Sequence, residues 1–292
     1  MLVELVRTKT SDGLRLDGSL ARPVVKPTEP PFVDAAILLH GVGGSFFGGA
    51  MFEPLSNRLL EFGVAVVRVN TRGYGSINMI ATEGGATRGG AAFEVVDQCR
   101  HDINAWCDFL VGRGMSRIGL VGHSLGAIKA VYSAAHAPHP NVASVIAASP
   151  PRLSRRAFQI GPRSDDFFES LTTAKQLVEE GRPEQLITAK FPFPLLISAA
   201  SYVDKYGDER YNLLKFVSRV RSPTLFTYGS IELEQGGVAF AGLPDAIQRA
   251  VSEAEEAERP KVDVVTIADA DHFYAGKHDE LADVVARWLT RV

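Results

Sequence analysis

Cysteine is nearly absent. Cys99 and Cys107 are the only two in 292 residues, too few for a disulfide framework. If both fall on one helix, eight positions separate them by about 12 Å, beyond the reach of a bridge. An excess of either charge is also missing. The 31 Lys+Arg stand against 34 Asp+Glu, a formal charge of −3, so no overall field draws nucleic acid or an anionic membrane surface. No apolar run approaches the roughly 18 residues of a membrane span; Ala35–Leu39 is typical, and strand-sized. The opening Met1-Leu-Val-Glu-Leu-Val-Arg7 lacks a basic stretch followed by an apolar one, so a cytoplasmic chain without a secretory signal is expected. What is present is ordinary for a globular protein, with 46% hydrophobic and 22% charged residues. That composition excludes disordered, collagen-like and coiled-coil chains, and the length suits one large α/β domain.

Strands alternate with helices along the chain. Val3–Thr10 and Leu14–Ala21, separated by Ser11-Asp-Gly13, predict an N-terminal β-hairpin. A proline-rich connection (Pro23, Pro27, Pro30, Pro31) leads to the buried strand ending at His40. A helix over Phe52–Phe62, a strand over Val64–Val69 and a helix over Phe93–Val111 follow. Next come a strand at Ile118–Val121, a helix at Leu125–Ala135 and a strand at Val142–Ala148. Thr224–Tyr228 and Val262–Ile267 supply further strands, Leu243–Glu258 an additional helix, and His278–Arg291 an amphipathic closing helix. Continuous apolar strands interleaved with helices predict a mostly parallel sheet covered on both faces. Residues 150–223 break this rhythm. They read as a helical cap, with helices near Phe167–Glu180 and Asp208–Arg219 and no sheet strand, inserted between core segments 1–149 and 224–292. Ala81–Gly90 reads as a flexible loop whose glycine spacing matches neither a dinucleotide nor a phosphate-loop motif. No nucleotide cofactor is expected.

Gly122-His-Ser124-Leu-Gly126 matches G-x-S-x-G. In a chain with 27 glycines the pattern carries weight only through its setting: a β-run leads in and a helix-forming run leads out. A turn that sharp forces the serine into strained φ/ψ and holds its hydroxyl clear of the backbone, while glycines on either side remove crowding. The alternative, a serine that merely caps the helix, predicts the same turn without a base nearby. His40-Gly-Val42-Gly-Gly44 follows a buried strand and is suited to an oxyanion loop. The Val42 N–H and the Leu125 N–H, next to the nucleophile, are the two candidate donors.

A serine nucleophile needs a general base, and seven histidines are available. His40 and His123 belong to the two loops and are expected to brace them. His101 falls within a helix. His136 and His139 flank Pro138 without a companion that would make a metal site, and His278 is expected on the surface. His272, in the loop after the last strand, is the remaining choice. In the α/β-hydrolases, which this strand–serine–helix turn resembles, the acid that orients the base lies between serine and histidine in chain order. Glu232, three residues after the strand-ending Gly229, fits best. Glu234 competes, and Asp269 and Asp271 lie too near His272 in sequence to face its ring. In the cap, Arg152, Arg155, Arg156 and Arg163 could bind a substrate carboxylate, although a solvated face is the expected role. Phe167, Phe168, Phe191, Phe193 and Tyr202 are expected to pack the cap onto the sheet, some of them lining an apolar pocket.

These residues together resemble the α/β-hydrolase superfamily over nearly the whole chain: His40-Gly41, Asn70-Thr-Arg72-Gly73, Gly122–Gly126, Gly229–Glu232 and Asp271-His272, in that order. Gly229-Ser-Ile-Glu232 with Ala270-Asp-His272-Phe-Tyr274 is also similar to a subgroup that includes fungal siderophore-ester hydrolases. The resemblance implies hydrolysis of a small or medium carboxylic ester, thioester or lactone through an acyl-enzyme. Ser124 would be the nucleophile, His272 the base, Glu232 the acid, and the Val42 and Leu125 N–H groups the oxyanion hole. It implies no metal or organic cofactor and a small-molecule partner. Amide cleavage or acyl transfer would use the same triad. A non-catalytic ligand-binding protein is the reading from another class, which an intact Ser124, His272 and acid disfavour. Oligomeric state is not visible.

Overall fold

The computed structural model describes residues 2–24, 31–256 and 259–289; Pro27 and Pro30 of the proline-rich connection lie outside them. An antiparallel hairpin opens the chain, β1 (Glu4–Lys9) and β2 (Arg15–Ala21). Then follow β3 (Ala35–Leu39), α1 (Phe52–Glu61), β4 (Ala65–Val69), and the pair β5 (Asn78–Thr82) and β6 (Gly85–Gly89). A 3-10 turn at Val96–Gln98 leads into α2 (Cys99–Val111), and β7 (Ile118–His123), α3 (Leu125–His136) and β8 (Val142–Ala148) complete the first half. The 150–223 segment holds α4 (Arg155–Ile160), α5 (Ser164–Glu179), β9 (Leu186–Ala189), β10 (Leu195–Ser198) and α6 (Ala199–Tyr206). The chain returns through β11 (Thr224–Gly229), α7 (Ser230–Gln235), α8 (Leu243–Ser252), β12 (Val262–Ile267) and α9 (His278–Leu289). The expected ends of the last two helices, Glu258 and Arg291, lie outside the described residues.

Eight strands form one sheet in the order β1-β2-β4-β3-β7-β8-β11-β12. The six from β4 to β12 pair in parallel, and β2 joins β4 antiparallel. Successive side chains of a strand point to opposite faces, and the core divides accordingly. Ala35, Ile37 and Leu39 of β3 join an interior built with α2 and α3, while Ala36 and Leu38 join one built with α1 and α9. Both faces are therefore apolar, the condition for a parallel sheet. Each fully buried Leu or Ile contributes roughly 1.5–3 kcal/mol by leaving water. Cys99 and Cys107 lie two turns apart on α2, both buried and both free.

Four local expectations are corrected. Ala81–Gly90 is not a loop: most of it pairs as the β5–β6 hairpin, with Ile80 buried and its side chain occupying the space a Cβ on Gly89 would need. The 150–223 segment is not purely helical, since β9 and β10 pair antiparallel within it. Asp208–Arg219 folds as two 3-10 turns, Leu213–Lys215 and Val217–Arg219, the first begun by the Asn212 side chain accepting from the Leu214 N–H. The helix expected from Phe93 begins only at Cys99, because Asp204 and Tyr211 take the Val96 and Asp97 N–H groups and turn the chain there.

Candidate active site

The buried strand β7 ends at His123 and α3 begins at Leu125, leaving one residue to make the turn. That residue is Ser124, at φ 56° and ψ −121°. A non-glycine residue there is strained by the order of 1–3 kcal/mol and is held by its surroundings; the Ser124 N–H donates to the Ala148 carbonyl at 2.9 Å. The flanking glycines are required by close approach. A Cβ on Gly122 would lie 2.2 Å from the Gly126 carbonyl oxygen, and one on Gly126 would lie 2.2 Å from the Leu39 carbonyl oxygen. The positive end of the α3 dipole faces the turn. Neither the Val42 nor the Leu125 N–H has an acceptor among the described residues, so both are free to serve an oxygen beside Ser124.

The structure brings Ser124, His272 and Glu232 into one chain of hydrogen bonds. Ser124 Oγ lies 3.0 Å from His272 Nε2, and His272 Nδ1 lies 2.5 Å from Glu232 Oε1. Glu232 is buried on α7; its second oxygen accepts from the Ser149 hydroxyl at 2.7 Å and from the Gly229 N–H at 3.3 Å. Tyr274, buried beside them, donates from its hydroxyl to the Thr227 carbonyl at 3.0 Å and packs 2.9 Å from Ser149 Oγ. Glu234 points into solvent. The Asp271 carboxylate accepts from the Phe273 and Ala275 N–H groups of its own turn. Sequence reasoning overlooked Ser149, because one serine after a strand carries no pattern, and named Tyr274 only as part of a motif, without a role.

Two neutral histidines brace the loops. His123 donates from Nε2 to the His272 carbonyl at 2.8 Å. Burial, with the neighbouring His272, pushes its pKa down to about 4. His40 is held to about 4 by burial and by the charge of Lys129. Its Nδ1 donates to the Gly41 carbonyl at 2.8 Å while Nε2 accepts from the Thr71 N–H at 3.2 Å. Behind it lies a buried group of charges that sequence reasoning missed. Lys129 Nζ donates to Thr71 Oγ1 at 3.1 Å and forms an ion pair with Glu94 Oε1, and Lys205 Nζ stands 3.9 Å from Glu94 Oε2. Burial alone would raise the Glu94 carboxyl, but the two lysines hold it below its ordinary range. The one signal in the sequence was Lys129 itself, a cation in the mostly apolar first half of α3. Arg72 closes a separate buried pair with Asp102 at 2.8 Å.

Two cavities meet at Ser124 and His272. The larger, about 770 Å³, is lined by Met51, Phe52, Phe193, Phe273 and His278 among others. The smaller, about 240 Å³, is walled by Leu125, Leu153, Phe158, Lys205, Tyr206 and Phe240. Val42 and Phe193 border both. His278 is thus part of a cavity wall rather than only a surface residue, with Nε2 donating to the Phe273 carbonyl at 3.1 Å. Phe167, Phe191 and Tyr202 are buried, whereas Phe168, on the outer side of α5, and Phe193, at the cavity rim, are exposed. The cap arginines border neither cavity. Arg163 is occupied by Asp166 at 2.8 Å and by the Lys190 and Pro192 carbonyls, and Arg152 by the Ala241 carbonyl at 3.1 Å. Among the described residues no cluster of His, Cys, Asp and Glu could hold a metal ion, and no helix is long and apolar enough to cross a membrane.

The profile of the Alpha/beta hydrolase family matches residues 36–284. The chain belongs to that family. Solved structures share the α/β-hydrolase fold at low identity. Est1E from Butyrivibrio proteoclasticus, determined with ferulic acid bound, is 18% identical with a TM-score of 0.65 over 97% of both chains. The α/β-hydrolase GrgF from Penicillium sp. sh18 is 14% identical, with a TM-score of 0.69 over 100% of this chain and 99% of its own. A monoacylglycerol lipase from Paleococcus ferrophilus is 17% identical, with a TM-score of 0.63 over 99% of each. A search of curated protein sequences found no match.

Proposed function

We propose that this α/β-hydrolase is a serine esterase that cleaves carboxylic esters through an acyl-enzyme, with Ser124 as nucleophile, His272 as base and Glu232 as acid. The reading rests on the hydrogen-bonded chain Ser124–His272–Glu232 at the junction of two cavities, with two unengaged N–H groups beside it. His272 Nε2 takes the hydroxyl proton as Ser124 Oγ bonds to the ester carbonyl carbon. The Val42 and Leu125 N–H groups receive the oxyanion, each such donor being worth roughly 3–4 kcal/mol of transition-state stabilisation. Glu232 fixes the tautomer of His272 and stabilises the imidazolium. Collapse breaks the ester C–O bond, and His272 returns the proton to the departing alcohol. A water deprotonated by His272 then attacks the acyl carbon, releasing the acid and restoring Ser124. Nothing in this sequence calls for a metal or organic cofactor. Residues 150–223 act as a cap: Pro151, Leu153, Phe158, Phe193 and Tyr206 from it help enclose the smaller cavity, which is suited to the acyl group, and the larger accommodates the alcohol.

The deciding experiment is intact mass after exposure to a fluorophosphonate, on wild type and Ser124→Ala. One adduct on wild type that vanishes in the variant is expected. A folded wild type that takes no adduct would overturn the catalytic reading in favour of ligand binding without turnover.

A further inference from the structure

Lys205 is the group that the esterase mechanism leaves unused. Its side chain is 0% exposed, and Nζ has no hydrogen-bond partner among the described residues. An ammonium carries three donors, and a buried cation persists only when paired. The nearest anion is Glu94, whose Oε2 lies 3.9 Å away and whose other oxygen is held by Lys129. The local charges therefore count two cations against one carboxylate. Asp204 also attracts Lys205, but its carboxylate is already shared among other partners. Asp204 is engaged by the Val96 N–H, the Tyr211 hydroxyl and Arg210. Asp102 belongs to Arg72, and His40 is neutral. Burial, with the charge of Lys129, lowers the Lys205 pKa against the pull of Glu94 and Asp204.

Lys205 also borders the smaller cavity together with Ser124 and His272, where the other side chains of the wall are largely apolar. At about 30 Å³ per small group, the 240 Å³ volume admits roughly eight non-hydrogen atoms. A plain alkanoyl chain would satisfy the apolar wall and leave the ammonium as it is. A chain ending in a carboxylate would fill the same space, supply charge-assisted hydrogen bonds and bring the buried group to two cations and two anions.

Resting on the esterase reading, we propose that Lys205 is a specificity-determining residue that receives a carboxylate on the acyl part of the substrate. The preferred substrates are then half-esters of short dicarboxylic acids. The test compares monobenzyl succinate, glutarate and adipate with benzyl alkanoates of matched chain length, on wild type and Lys205→Met, with melting curves to verify folding. In wild type, kcat/KM is expected to favour the half-ester at least ten-fold at one length or more, and Lys205→Met to reverse the ratio. Independently of any variant, free adipate should protect Ser124 from fluorophosphonate better than hexanoate does. A wild type that prefers the alkanoate at every length, or one that prefers benzyl 5-oxohexanoate to the half-ester, would overturn the proposal, as would an unchanged ratio in a folded Lys205→Met. Turnover of neither series by a Ser124 that still labels would overturn the esterase reading and the proposal together.

Discussion

His123 Nε2 donates to the backbone carbonyl of His272 at 2.8 Å, and the two rings lie 4.9 Å apart. The residue before Ser124 thus ties down the loop that carries His272, so the two are registered through one bond as well as through the sheet. Misplacing a catalytic group by about 1 Å costs on the order of 10²-fold in rate. His123→Ala should therefore lower kcat by about 10- to 100-fold with little change in KM. His123→Gln, which keeps an N–H donor, should recover part of the loss. Equal effects of the two substitutions would show that the bond does not position the loop.

Glu232 and Glu234 provide an internal control two residues apart. Glu232→Gln keeps the shape of the side chain but presents the wrong partner to His272 Nδ1, and a loss of about 10³- to 10⁴-fold in kcat is expected. Glu234→Gln, on an exposed side chain, should stay within two-fold. Steady-state kinetics on any hydrolysed ester decides the matter. A reversed order would transfer the acid role to Glu234.

The buried His123 adds a pH dependence of known sign. Its pKa falls from the ordinary 6.5 to about 4 on folding. Below pH 6.5 the unfolded chain takes up a proton that the folded chain refuses until about pH 4. Stability is consequently lost as pH falls through that window, by about 1.4 kcal/mol per pH unit for this group. Urea unfolding of His123→Gln between pH 4 and 6.5 should show a slope shallower by that amount. Parallel slopes would mean that the ring is already charged in the folded protein.

Gly126 lies against the Leu39 backbone, so Gly126→Ala forces a methyl to within 2.2 Å of a carbonyl oxygen that has little room to move. Overpacking against backbone costs at least 1–3 kcal/mol, and the strand–helix crossing should open. A melting point lowered by several degrees, together with loss of fluorophosphonate labelling, is expected. A variant as stable and as reactive as wild type would contradict the packing described here.

What the sequence made legible follows from what leaves a pattern. The alternation of apolar strands with helices and the glycine spacing around Ser124 are periodic or punctuated, so the parallel sheet and the turn could be read directly. That His272 and Glu232 would lie beside Ser124 could be anticipated because each follows a strand end. Lys205 and Glu94 could not: a charged residue on a helix or in a loop looks the same in sequence whether it faces water or the core. The β5–β6 hairpin was hidden because Gly84, Gly85 and Gly89 erase the alternation that marks a strand. Asp208–Arg219 was misread because side-chain hydrogen bonds such as that of Asn212 compete with helical ones and stop the turn early.

The buried charge group spans parts of the chain that the sheet keeps apart. Lys205 comes from the 150–223 segment, while Glu94 and Lys129 come from the core, and Lys129 continues through Thr71 and His40 to Gly41. This wiring restricts how such a segment can be exchanged between relatives. A transplanted segment lacking a cation at the position of Lys205 would change the charge beneath the loop that carries Val42, even if it packed perfectly. Pocket charge and loop geometry are thereby coupled, so Glu94 and Lys129 would have to be exchanged along with the segment.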